Sequence, residues 1–219
     1  MIAAIAAMSF VQALAQGDTR SNRVTLSYEV MKTDFNQKYG QEGVKGMSAG
    51  YMRIAPIAPQ AGISLEYGGK LTWLHSVEKD LGNSYNYYNY TQRCTFMNIS
   101  IPVSVLRPFA LGNSDFSIRP FLGPNFKFNI IGKYKETHES KDGEIEEDRY
   151  INYLKRDNRY PAKIFQFGMN IGVGVTFRQL YLGYTFQPDF TKYIDGNAYY
   201  VDGQSCKTQS HSISLGIRF

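Results

Sequence analysis

The sequence predicts an all-β fold, an eight-stranded antiparallel up-and-down transmembrane β-barrel. Three observations lead to this fold class. Apolar and small polar residues alternate through most of the chain, as they do in strands with two different faces. Gly and aromatic residues are abundant, with 20 Gly, 17 Tyr and 14 Phe among 219 residues, which suits strands and turns. Long charged connections alternate with short ones, as in membrane barrels.

The first residues form a short apolar run that we expect to direct export. It ends in Ala-Leu-Ala, which fits cleavage after Ala15. The expected organisation is a signal peptide over 1–15, a short periplasmic segment over 16–23, and a barrel over 24–219. The alternative is a buried helix of the mature domain, although the run has no amphipathic face.

Eight segments with a two-residue period follow this run. The second segment is the least regular of them. The predicted strands are VTLSYEVM (24–31), MSAGYMRIAP (47–56), GISLEYGGKLTW (62–73), FMNISIPVSV (96–105), FSIRPFLGPNFKFNI (116–130), FQFGMNIGVGVTF (165–177), LYLGYTFQ (180–187) and SHSISLGIRF (210–219). The connections between them run long, short, long, short, long, short, long, which predicts four extracellular loops and three periplasmic turns.

The two faces of the predicted strands differ in size and polarity. One face is bulky and apolar, and the other consists mostly of Gly, Ser, Thr and Asn. A face in bulk water would be rich in Lys, Glu and Asp, whereas small polar residues suit the inside of a narrow barrel. We therefore expect the apolar face to contact lipid. The alternative is a soluble eight-stranded barrel of the lipocalin type, which also alternates.

A few charged residues have the parity of the polar face and should point into the lumen. They are Glu29, Glu66, Lys70, Arg119, Lys127, Arg178 and Arg218. Two acids among five bases in a confined space should form ion pairs, because an unpaired buried charge is costly. We expect this network to plug the barrel, since eight strands leave little room for a channel. The alternative is a path for protons or a solute.

Other site chemistry is weakly indicated. The net charge is +5, and the scattered Lys and Arg residues form no stripe for nucleic acid. The three histidines, His75, His138 and His211, lack the spacing of a metal site. GVGVTF does not continue as a dinucleotide-binding motif, and no catalytic triad is marked. We therefore expect no cofactor, no nucleic-acid partner and no enzymatic activity.

Two features of the predicted loops leave alternatives open. Cys94 and Cys206 are the only cysteines, and an exported protein often pairs an even number of cysteines. They could form a disulfide across the outer rim or stay as two thiols.

A tyrosine cluster lies in the loop between the third and fourth predicted strands. It consists of Tyr85, Tyr87, Tyr88 and Tyr90. These residues could belong to an interfacial aromatic belt. Alternatively, they could form a contact surface for an extracellular protein or glycan, because exposed Tyr is a good contact residue.

Several segments, taken in order, resemble the PorT-like outer-membrane β-barrel family of Bacteroidetes, a porin-type family. They are MNISIPVSVLRPF (97–109), IRPFLGPNFKF (118–128), FGMNIGVGVTF (167–177), LYLGYTFQPDF (180–190) and SISLGIRF (212–219). The resemblance implies an eight-stranded barrel in the outer membrane. It implies no known activity for most members, and a part in protein secretion for a few. Phe219 resembles the terminal aromatic residue that the outer-membrane assembly machinery reads.

Together these observations predict a protein of the outer membrane of a Gram-negative bacterium, with both termini in the periplasm. We expect a non-enzymatic barrel with a structural or interaction role through its extracellular loops. The expected partners are outer-membrane lipid, the assembly machinery, and an extracellular protein or glycan. The alternatives are a narrow solute pore and an accessory barrel of a protein secretion complex.

Overall fold

The computed structural model describes residues 21–33, 43–80, 89–110, 115–139, 145–155, 162–193 and 206–219. These residues form ten strands and one short 3₁₀ turn, Pro59–Ala61. The strands are β1 (Ser21–Thr33), β2 (Val44–Ala58), β3 (Ile63–Asp80), β4 (Asn89–Leu106), β5 (Phe109–Ala110), β6 (Phe116–Glu139), β7 (Ile145–Asn152), β8 (Phe165–Phe177), β9 (Leu180–Pro188) and β10 (Thr208–Arg218). In this part of the chain, no helix has the length and apolar character needed to cross a bilayer.

Eight long strands close into an antiparallel barrel. Each pairs with its neighbours in chain order, β4 pairs with β6, and β1 pairs with β10. The short strands β5 and β7 pair only with β6. The predicted eight-stranded up-and-down barrel is therefore confirmed, and each predicted segment coincides with one of the eight long strands.

The β1–β10 pairing is the seam that joins the two ends of the chain. Its register runs without a break from Arg23 opposite Arg218 to Thr33 opposite Thr208. Beyond it, the Asn22 amide donates to the Phe219 carbonyl at 2.7 Å, and the Phe219 amide donates to the Asn22 carbonyl at 3.0 Å. β1 thus begins at Ser21, so part of the predicted periplasmic segment 16–23 belongs to the barrel wall.

The two faces of the barrel wall have opposite chemistry, as the alternation predicts. On the outside, large apolar side chains are half exposed or more, including Leu26 at 55%, Ile213 at 56% and Leu215 at 65%. On the inside, small polar residues such as Ser27 and Ser100 are buried. A water-soluble barrel would not leave so continuous an apolar exterior. The exterior matches the hydrocarbon of a bilayer.

Glycines make room for one large aromatic residue inside the barrel. The ring of Tyr181, which is 4% exposed, lies across Gly174 and Gly183, which are opposite each other in β8 and β9. A Cβ built on either glycine would meet ring atoms of Tyr181 at less than a van der Waals contact. The small residues at these positions therefore let the tyrosine fill the lumen.

This packing gives a test of the barrel interior. Replacing Gly174→Ala should lower the free energy of unfolding by about 1–3 kcal/mol, because the added methyl group overpacks against the Tyr181 ring. Gly69→Ala is the matched control, since a Cβ there meets nothing within 4 Å. Denaturant unfolding of the refolded protein in micelles measures both. Equal stability of the two variants would contradict the packing described.

Candidate functional site

The lumen is crossed by three buried ion pairs. Arg23 Nη2 lies 2.6 Å from Glu66 Oε1, Lys70 Nζ lies 2.7 Å from Glu29 Oε1, and Lys127 Nζ lies 2.5 Å from Asp189 Oδ2. All six side chains are 8% exposed or less. Each pair joins parts of the wall that are not hydrogen-bonded neighbours in the sheet: β1 with β3 in the first two, and β6 with the end of β9 in the third. The pairs therefore brace the barrel as well as fill it.

The Lys70–Glu29 pair, which is the middle one of the three along the lumen, continues into a hydrogen-bond chain across it. Ser48 Oγ donates to Glu29 Oε1 at 2.5 Å, and Lys70 Nζ also donates to Gln187 Oε1 at 3.0 Å. Gln187 Nε2 then donates to Asn170 Oδ1 at 2.6 Å. Strands β1, β2, β3, β8 and β9 are thus linked through side chains, which satisfies the buried charges that a narrow lumen imposes.

The Lys127–Asp189 pair, which lies nearest the extracellular end, is held by a second chain of polar side chains. The Thr208 hydroxyl donates to Asp189 Oδ2, and Gln166 Nε2 donates to Thr208 Oγ1 at 3.0 Å. Asn129 Nδ2 completes the chain by donating to Gln166 Oε1 at 3.0 Å. Asp189 therefore has both a cation and a hydroxyl donor, although it lies 4% exposed in the interior.

An aromatic cluster fills the outer end of the lumen. The Tyr193 ring lies 5.9 Å from that of Phe96 and 6.4 Å from that of Tyr153, measured between centroids. Its backbone amide donates to the Cys206 carbonyl at 2.7 Å, so the segments on both sides of the last loop are tied together. Burial raises the pKa of the Tyr193 hydroxyl, which therefore stays protonated.

The periplasmic end carries more positive than negative charge. Arg23 stacks on the Tyr181 ring, with its guanidinium carbon 3.8 Å from the centroid. Two further arginines are partly buried there. Arg119 Nε donates to Ser117 Oγ at 3.2 Å, and Arg218 Nη2 donates to Ser21 Oγ at 3.0 Å.

A cavity of about 40 Å³ lies between the Arg23–Glu66 pair at the periplasmic end and the Lys70–Glu29 pair in the middle of the lumen. Its lining includes Arg23, Glu66, Lys70, Asn170 and Gln187. Several polar atoms of these residues have no protein partner, among them Arg23 Nε, Glu66 Oε2 and Asn170 Nδ2. Space of this size and polarity suits a few water molecules. It is too small to serve as a path for a solute.

The structure places most of the predicted charge network in the lumen. Glu29, Glu66, Lys70 and Lys127 are buried and paired. The two remaining lumen members, Arg119 and Arg218, line the periplasmic end.

Arg178 was wrongly assigned to this network. It lies in the two-residue turn between β8 and β9 with φ 52°, where strand parity no longer applies. Its Nε lies 3.0 Å from Asp115 Oδ2 outside the lumen, and the two side chains are 73% and 59% exposed.

Two members of the network, Arg23 and Asp189, are not among the residues predicted from the sequence. Arg23 precedes Val24 by one residue and Asp189 follows Gln187 by two, so each lies just beyond a predicted strand. Extending the parity of β1 and β9 by two residues would have found both.

The loop features predicted from the sequence have different outcomes. No disulfide joins Cys94 and Cys206. Of the two alternatives, the structure therefore contains two separate thiols. Tyr85, Tyr87 and Tyr88 lie outside the described residues. For Tyr90 only the backbone is described, in β4 opposite Asp80 and His138.

Two further residues named from the sequence, Phe219 and His211, lie on the exterior. Phe219 is 64% exposed at the periplasmic end. The Nδ1 atom of His211 lies 2.7 Å from the Tyr184 hydroxyl on the outward face. Across the described ranges, no three His, Cys, Asp or Glu side chains come together in a form that could hold a metal ion.

Comparison with known proteins finds similar folds at low sequence identity. Neisserial surface protein A is 12% identical, with a TM-score of 0.45 over 91% of this chain and 95% of that one. A major outer membrane protein from Thermus thermophilus is 12% identical, with a TM-score of 0.45 over 92% and 100%. The outer membrane protease OmpT from Escherichia coli is 11% identical, with a TM-score of 0.43 over 93% and 97%.

No protein-family model matches the chain, and no curated protein sequence matches it. The fold assignment therefore rests on the closed pairing of this chain's own strands. A closed barrel with a filled polar lumen, short turns at one end and an apolar exterior is the form of barrels that span the outer membrane. The protein is a closed eight-stranded β-barrel of the membrane-spanning form.

The buried ion pairs give a second test. Replacing Lys127→Met leaves the Asp189 carboxylate buried without its cation and should cost about 3–5 kcal/mol of stability at neutral pH. Arg178→Met is the matched control, because it breaks an exposed pair that is worth about 0–1 kcal/mol. Denaturant unfolding in micelles measures both. If the two variants lose the same stability, the lumen pair does not act as a buried pair.

Proposed function

We propose that the protein is a non-enzymatic outer-membrane barrel with a structural or interaction role, exercised through its extracellular side. The observation that carries this proposal is the filled lumen. Three ion pairs, their hydrogen-bonded extensions and the aromatic cluster of Phe96, Tyr153 and Tyr193 occupy the interior at successive levels. A barrel without a passage can act on other molecules only at its ends and its outer surface.

The extracellular end offers a structured surface for such contacts. β6 spans Phe116–Glu139, 24 residues, whereas a strand needs roughly 9–11 residues to cross a bilayer. Its outer part pairs with β4 on one side and β7 on the other. β3 continues alongside β4 as far as Asp80, so these strands form a four-stranded sheet beyond the apolar exterior. Tyr150 is 51% exposed on this sheet, which favours contact with an extracellular protein or glycan.

A narrower role is suggested only by the PorT-like resemblance. That resemblance would make the protein an accessory of a secretion complex in a Bacteroidetes species. Phe219 would then be a tag for the outer-membrane assembly machinery, and its exposed ring at the end of the seam suits such a role. Normal protein secretion in a strain that lacks this protein would exclude the accessory role. Unchanged levels of the barrel at the cell surface after removal of Phe219 would exclude its role as a tag.

The filled lumen gives a direct test against the solute-pore alternative. Purified refolded protein added to a planar lipid bilayer should produce no unitary current steps, because the cavity between two of the ion pairs is only about 40 Å³. An open-lumen porin in the same bilayers controls for insertion. Reproducible steps whose size rises with salt concentration would overturn the proposal and favour a narrow pore.

A further inference from the structure

Three arginines come together at the periplasmic end of the lumen. Arg23 and Arg218 lie directly opposite each other on β1 and β10, and Arg119 belongs to β6. The charges of all three act on the Glu66 carboxylate, so their guanidinium groups share one region of the lumen. We call Arg23, Arg119 and Arg218 the periplasmic arginine cluster. Like charges directly opposite each other on neighbouring strands are destabilising, so this arrangement calls for an anion.

Only one of the three positive charges is neutralised by a nearby acid. Arg23 Nη2 lies 2.6 Å from Glu66 Oε1. Within the described part of the chain, neither Arg119 nor Arg218 forms an ion pair. Each of them donates to a serine hydroxyl, which carries no charge. Two positive charges of the cluster therefore remain uncompensated.

The other carboxyl groups described at this end are engaged elsewhere. Asp115 pairs with Arg178 outside the lumen, where both side chains are exposed. The carboxyl group of Phe219 accepts a hydrogen bond from the Asn22 amide at 2.7 Å. Neither group lies within ion-pair distance of the cluster, so neither offsets its charge.

The cluster also has hydrogen-bond donors without acceptors. Arg119 Nε donates to Ser117 Oγ at 3.2 Å, and Ser117 Oγ lies 2.5 Å from Thr176 Oγ1. These contacts orient the guanidinium group and leave both of its terminal nitrogens without an acceptor among the described residues. Arg218 Nε is likewise buried without a partner. Buried donors are almost always paired in folded proteins, and the planar fork of arginine matches the oxygens of phosphate.

We propose that the periplasmic arginine cluster binds a phosphate group that enters from the periplasm. The two uncompensated charges match a phosphate monoester or inorganic phosphate, which carries about −1.5 to −2 at neutral pH. Arg119 and Arg218 are partly exposed, so the group can reach them without passing the filled lumen. This proposal does not depend on the role of the extracellular side, because the cluster lies at the opposite end of the barrel.

The test is urea unfolding of the refolded full chain in micelles of a nonionic detergent. The probes are inorganic phosphate and glycerol 3-phosphate, each compared with chloride at equal ionic strength. The midpoint of unfolding should rise with phosphate concentration, because a ligand that binds only the folded state stabilises it. A rise with both probes would show that the site accepts phosphate carried by a larger molecule, and a rise with inorganic phosphate alone would show a site for the free anion.

Two charge-matched variants separate the cluster from net charge. Arg119→Gln should raise the dissociation constant for phosphate roughly 10-fold or more, because it removes a charge-assisted hydrogen bond. In chloride it should be no less stable than the wild type, since it removes an unpaired charge. Arg178→Gln removes an exposed arginine at the same end and should bind phosphate like the wild type.

Two results would overturn the proposal. One is an equal rise in the dissociation constant for phosphate in both variants. The other is an equal effect of phosphate and chloride on the wild-type protein, a result that does not depend on how any variant folds.

Discussion

A bilayer offers no water to the backbone, so every amide and carbonyl group within it must be bonded inside the protein. In this chain the β1–β10 seam meets that constraint, because it joins the first and last strands and removes both edges of the sheet. Closure then decides the chemistry of every strand. Side chains alternate between lipid and lumen, so Leu26 and Leu215 face outward while Ser27 and Ser214 meet inside at 2.8 Å between their hydroxyl oxygens.

A lumen this narrow imposes a second constraint, since any charge inside it is removed from water. The three ion pairs satisfy it by linking strands that the sheet does not join. Hydroxyl and amide groups add further hydrogen bonds to Glu29, Lys70 and Asp189. The same ion pairs therefore both fill the lumen and brace the barrel wall. The glycines opposite Tyr181 serve the same end, because they leave the space that its ring occupies.

Much of this architecture can be predicted from the sequence, because lipid and lumen select different residues at each step of a strand. The eight long strands and the burial of Glu29, Glu66, Lys70 and Lys127 follow from that alternation. It does not identify ion-pair partners, which depend on register around the barrel. Arg23 and Asp189 were not predicted because the inward–outward alternation of side chains continues beyond the apolar residues. Arg178 was misplaced because a turn ends that alternation. β7 was not predicted, since it lies beyond the region where lipid selects an apolar face.

The central claim is that the apolar exterior of the barrel, on which Trp73 lies, contacts lipid. Trp73 is the single tryptophan of the chain, so its fluorescence in reconstituted vesicles reports on this exterior without any mutation. Lipids brominated near the carbonyl end of their acyl chains should quench it strongly, and acrylamide in the water should quench it weakly. Insensitivity to brominated lipid together with full quenching by acrylamide would show that this face is in water, and would contradict the account.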